Sequence, residues 1–63
     1  MAAMELHKDR RLVHISQRAG KFKLEFYLTF EDDPGYRELV RADLAPNHQA
    51  ALKKAEAWLD GAA

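Results

Sequence analysis

The chain has 63 residues, 48% of them hydrophobic, with no cysteine and with Lys+Arg and Asp+Glu both at 10. That length supports one small core (a single domain over 1–63) and leaves little room for a deep interior ligand cavity. The cysteine count excludes disulfides and thiolate metal sites, and zero net charge argues against a dedicated nucleic-acid binder.

The neutral total hides an asymmetry. Residues 1–24 carry a net of +4 and residues 25–63 a net of −4. A chain so polarised can steer its encounter with a charged partner. No run of 18 apolar residues occurs, so no transmembrane span is expected. The start, Met1-Ala2-Ala3-Met4-Glu5-Leu6-His7-Lys8, lacks a signal-peptide apolar stretch, and cytoplasmic residence is the expectation.

The first half reads as a meander of three antiparallel strands. A turn at Ala19-Gly20 pairs Ile15 with Leu24 and Val13 with Phe26 on one face, and His14 with Glu25 and Leu12 with Tyr27 on the other. A second turn near Asp9-Arg10 pairs Met4 with Ile15 and Leu6 with Val13 on the first face. One register therefore serves both hairpins. The third strand, Phe22 to Phe30, alternates apolar and polar side chains, and places Phe22, Leu24, Phe26, Leu28 and Phe30 on the core wall. Its far edge is expected to be unpaired.

From Glu31 the period changes. Asp33-Pro34 has the form of a helix N-cap followed by proline, and Tyr36, Leu39, Val40 and Leu44 recur at helical spacing until Pro46. The spacing predicts a helix here. A fourth strand after a Pro34-Gly35 turn is the competing reading, with Val40, Ala42 and Leu44 on one face and Leu39 on the other. Asn47 then caps a last helix that runs to about Asp60 and ends at Gly61, with an apolar stripe of Ala51, Leu52, Ala55, Trp58 and Leu59. The tail over 61–63 is expected to fray. The fold class is α+β: a three-stranded antiparallel meander with two C-terminal helices packed on the Phe wall, or ββββα if residues 34–44 form a strand.

No nucleophile elbow, phosphate-cradling glycine loop or catalytic constellation occurs, so the expectation is a non-enzymatic protein without a cofactor. The face opposite the Phe wall is the candidate working surface. In the expected register Glu5, His14 and Glu25 form one cross-strand row, and His7, Leu12 and Tyr27 the next. Tyr27 beside Leu12, rimmed by His7, His14 and Glu25, has the composition of a protein-binding patch. The same imidazoles and carboxylates are of types that bind divalent metals, a remoter reading, because a flat solvated sheet offers no shell to orient them. Glu31, Asp32 and Asp33 form a rival acidic surface for a basic partner, although acids also suit a helix start. The basic residues divide between two ends, Lys8, Arg10 and Arg11 at one and Arg18 and Lys21 at the other. A phosphate-binding groove would then require a dimer.

Two local resemblances accompany these patterns. Phe30-Glu31-Asp32-Asp33-Pro34-Gly35, with Gln49-Ala50-Ala51-Leu52-Lys53-Lys54-Ala55 downstream, is similar to the F-x-D-x-P-G segment and following helix of HicB-type antitoxins. The spacing between the two segments is longer than in that family, and they cover less than half the chain. The resemblance implies a protein that binds and blocks a larger partner. Lys54-Ala55-Glu56-Ala57-Trp58-Leu59 resembles the helix that closes the three-stranded arm-binding domains of phage integrases, which implies DNA binding, but the neutral charge departs from that family's basic character. The expectation carried forward is a small module that covers part of a larger protein, as accessory inhibitors, antitoxins and anti-defence proteins of mobile elements do. A dimeric DNA-binding module is the alternative, and self-association is expected because so small a core has no disulfide or metal support.

Overall fold

Two-residue turns fix the register of the first three strands. In the computed structural model, which describes residues 3–61, β1 (Ala3–Lys8), β2 (Arg11–Arg18) and β3 (Lys21–Thr29) are joined at Asp9-Arg10 and Ala19-Gly20. Ala19 and Gly20 both have positive φ, 48° and 79°, as hairpin turns matched to strand twist require, and Asp9 sits at 56°. The resulting pairs are those the alternation dictates: Leu6 with Val13, Val13 with Phe26, Ile15 with Leu24. Glycine adopts the left-handed conformation readily, whereas alanine does so at about 1–2 kcal/mol. Ala19→Asn is therefore expected to stabilise the domain by about 0.5–1 kcal/mol, since asparagine tolerates that region. A thermal melt should rise by about 2–8 °C. An unchanged or lowered midpoint would show that the turn carries no such strain.

Residues 37–45 are a strand, not the expected helix. β4 (Arg37–Ala45) pairs antiparallel with β3, so one antiparallel sheet runs in chain order from β1 to β4 and a single helix, α1 (His48–Leu59), follows. Asp33-Pro34 does not cap a helix. It opens a tight turn in which the Tyr36 N–H donates to the Asp33 carbonyl at 3.0 Å, after an earlier turn from Phe30 to Asp33. Proline at the second position of such a turn uses its fixed φ as well as a helix start would. The helical spacing of the apolar residues has its own cause. The register shifts between Phe26 and Tyr27, where Arg41 opposes one and Leu39 the other, so Val40 is an extra residue in β4. That bulge resets the alternation, and Leu39, Ala42 and Leu44 share a face despite their uneven spacing.

The helix follows the sequence closely. The Asn47 side chain accepts the Ala50 N–H at 2.8 Å, and Gly61 (φ 78°) lies just past the Asp60 cap. Residues 62–63 of the expected frayed tail lie outside the described residues. Helix α1 touches all four strands and buries Ala51, Ala55 and Trp58 against the sheet. The core is Val13, Ile15, Leu24, Phe26, Ala45 and those three helix residues, with Leu6, Phe22, Leu28, Leu52 and Leu59 packed around it. Phe26 meets Trp58 edge-on, with ring centroids 5.1 Å apart. Phe30 is not on this wall. It lies beyond the end of β3, partly exposed, and stacks on Tyr36 at 5.7 Å. No helix among the described residues is long and apolar enough to cross a membrane.

Candidate functional site

With α1 on one side of the sheet, the other side is left bare. Three cross-strand rows cover it: Ala3, Ser16, Lys23 and Leu44; then Glu5, His14, Glu25 and Ala42; then His7, Leu12, Tyr27 and Leu39. The expected rows of His7, Leu12 and Tyr27 and of Glu5, His14 and Glu25 are thus present, each extended by one residue of β4. Leu12, Tyr27, His14 and Glu25 are half-buried and His7 is exposed. Leu39 and Leu44 are more open still, at 52% and 58% of full exposure. These two leucines, which sequence reasoning placed on a helix, are the most exposed large aliphatic side chains among the described residues.

Arg37 organises the centre of the face. Its guanidinium lies over the Tyr27 ring at 4.6 Å and donates to Glu5 Oε2 at 3.0 Å, and His14 Nδ1 meets the same oxygen at 3.1 Å. The Arg37 bond, and then the His14 bond, hold the Glu5 carboxyl below the usual carboxylate range. Glu25 is 3.8 Å from Lys23. With Glu5 held by a guanidinium, the row offers a metal poor access to that carboxylate, and no cluster of three or more His, Asp or Glu suited to a metal forms among the described residues.

The acidic run lies close by. Glu31, Asp32 and Asp33 are exposed in the turns between β3 and β4, so the helix-start explanation for them lapses. Glu31 is 3.6 Å from Arg10. Next to these turns is an open depression of about 670 Å³, lined by His7, Leu12, Thr29, Phe30, Tyr36 and Arg37 among others, with Glu31 at its border. His7, Leu12 and Arg37 belong to the bare face as well. The two surfaces that the sequence offered as rivals are therefore neighbours, joined by the Phe30–Tyr36 stack.

Most basic side chains are already paired: Lys8 with Asp60, Arg10 with Glu31, Lys23 with Glu25, Arg37 with Glu5, and Arg41 and Lys54 with Asp43. Arg11 stacks on Trp58 and donates to its carbonyl. Arg18, Lys21 and Lys53 form no ion pair among the described residues. No protein-family model matches this chain, and no curated protein or solved structure matches it.

Proposed function

We propose that this chain is a non-enzymatic protein-binding module whose bare sheet face covers part of a larger protein partner. One observation carries the reading. The row His7, Leu12, Tyr27 and Leu39 crosses all four strands and ends on an aliphatic side chain that is 52% exposed, flanked by Glu5, His14 and Glu25 on one side and by Arg37 on the other. Exposed apolar groups flanked by charge are the composition of a recognition surface, with the apolar centre supplying affinity and the flanking charges supplying register. The paired state of most basic side chains leaves few cations for phosphates, which weighs against the DNA-binding alternative. Blocking, in the manner of an accessory inhibitor, antitoxin-like or anti-defence protein, is the form of action assigned to it in this reading, with cytoplasmic residence part of the same proposal.

The test is affinity capture from the native cell, using wild type and three surface variants as bait. Tyr27→Ala and Leu39→Asp are each expected to lose a discrete partner while keeping the wild-type melt, since a central anchor carries about 2 kcal/mol or more. Glu25→Ala should weaken capture only modestly. Conversion of Glu31, Asp32 and Asp33 to their amides together tests the neighbouring surface. If that triple variant loses the partner while Tyr27→Ala and Leu39→Asp retain it, the bare face is not the binding surface. Retention of nucleic acid that falls steeply with salt would favour the DNA reading instead.

A further inference from the structure

The sheet has two edges, and they differ. The outer strand β1 presents one exposed large apolar residue, Met4, whereas β4 presents three: Leu39, Val40 and Leu44. The expected free edge on β3 is paired, and β4 is the free strand on that side. A long apolar edge strand is a template for pairing with another chain.

The hydrogen bonds of Leu44 show which backbone groups of β4 point outward. Its N–H donates to Asp43 Oδ1 at 2.8 Å, which directs that N–H away from β3, and its carbonyl accepts from Lys54 Nζ at 3.1 Å. Ladder bonds alternate along an antiparallel strand, so Ala42 also directs its N–H and C=O away from β3. Side chains of this segment alternate too. Ala42 and Leu44 lie on the bare face opposite Glu25 and Lys23, while Arg41 and Asp43 lie on the helix side opposite Phe26 and Leu24.

We propose that β4 pairs with β4 of a second copy about a two-fold axis through Ala42, which makes one continuous eight-stranded sheet. Charge selects this register. An axis at Arg41 sets two guanidinium groups against each other, and an axis at Asp43 sets two carboxylates together. An axis at Ala42 places Arg41 opposite Asp43 of the second copy, twice, and places Val40 opposite the second copy's Leu44. A one-residue slip would turn the apolar side chains of one strand to the wrong face. Ala42 of each copy exchanges both backbone bonds with its mate, and side chains there come no larger than a methyl group.

The Asp43 carboxylate has two uses in this scheme. Within one chain it caps the Leu44 N–H and bridges Arg41 at 3.3 Å and Lys54 at 3.2 Å. In the pair it turns to Arg41 of the second copy and frees the Leu44 N–H for the ladder. The cap thus blunts the edge against promiscuous pairing, while the matching copy offers the carboxylate a replacement partner. This inference does not rest on the proposed partner protein, because it uses the edge of the sheet and not the centre of its bare face.

Sedimentation equilibrium from about 10 to about 500 µM reads the result directly. Wild type is expected to pass from 7.2 kDa toward twice that mass as concentration rises. Arg41→Asp and Asp43→Arg each set like charges opposite one another and should weaken association by at least about tenfold. The double variant Arg41→Asp/Asp43→Arg restores opposite charges in the same register and should recover it. Ala42→Pro removes an outward N–H, which an edge strand tolerates, and should give a folded monomer. A wild-type mass of 7.2 kDa throughout would overturn the proposal, as would a double variant no better than the single ones.

Discussion

Phe26→Ala should leave the domain largely unfolded at room temperature. Phe26 is 1% exposed and is the largest fully buried side chain among the described residues. It sits opposite Val13 on β2 and Arg41 on β4, with the Trp58 ring 5.1 Å away and the Arg41 guanidinium 5.3 Å from its own ring centre. Truncating a buried phenylalanine costs about 3–5 kcal/mol, because the lost transfer energy is joined by an unfilled cavity. At about 0.05–0.15 kcal/mol per residue, a chain of this length has a total stability of about 3–9 kcal/mol. One substitution therefore removes most of it. Phe30→Ala is the informative control. That ring is 37% exposed and stacks only on Tyr36 in the β3–β4 turns, so its loss should cost about 1 kcal/mol or less. Lys23→Ala, which removes a solvent-facing pair with Glu25, should be close to silent. Urea titrations of the three variants measure this ordering. If Phe26→Ala proved as mild as Phe30→Ala, the packing described for the core would be wrong.

The contrast between these phenylalanines shows how far alternation can be read. Period-two patterning placed Val13, Ile15, Leu24 and Phe26 on one wall because nothing interrupts the strands between Arg11 and Thr29. It carried Phe30 along with them, since a pattern in sequence does not mark where pairing stops. Pairing stops at Thr29, whose N–H donates to the Arg10 carbonyl at 2.8 Å, and the chain then turns away. The cross-strand rows of the bare face followed from the same register, so His7, Leu12 and Tyr27 were legible together. Arg37, Leu39 and Leu44 were not. A bulge inserts one residue, Val40, and that one residue is enough to give Tyr36, Leu39, Val40 and Leu44 the look of helical spacing within a strand. Asp33-Pro34-Gly35 added to the confusion, because aspartate and proline start helices and turns for the same conformational reasons. What the sequence lacked was a local signal for the bulge, which arises from how β4 meets β3.

Trp58→Ala should be nearly as damaging as Phe26→Ala, and it tests how the helix is held. Trp58 is 8% exposed in the last turn of α1, with its ring against Phe26 on one side and the Arg11 guanidinium 4.9 Å from its centre. The helix otherwise buries small side chains, Ala51 and Ala55, which bring it close to the sheet but contribute little area. Tryptophan supplies the bulk, and its truncation costs about 3–5 kcal/mol. Trp58→Phe, which keeps an aromatic edge for Phe26, should cost less. Arg11 adds a second attachment, since it also donates to the Trp58 carbonyl, which accepts the Gly61 N–H at 3.0 Å as well. The carbonyl survives in Trp58→Ala while the ring does not, so a double-mutant cycle between Arg11→Ala and Trp58→Ala isolates the cation–ring contact. Such contacts contribute about 0.5–2 kcal/mol when partly desolvated, and a coupling of about 1 kcal/mol is expected here. A coupling indistinguishable from zero would assign Arg11 to the carbonyl alone. Arg11 would then tie β2 to the C-terminal backbone of the helix and not to the face of its tryptophan ring, which stays packed in the core.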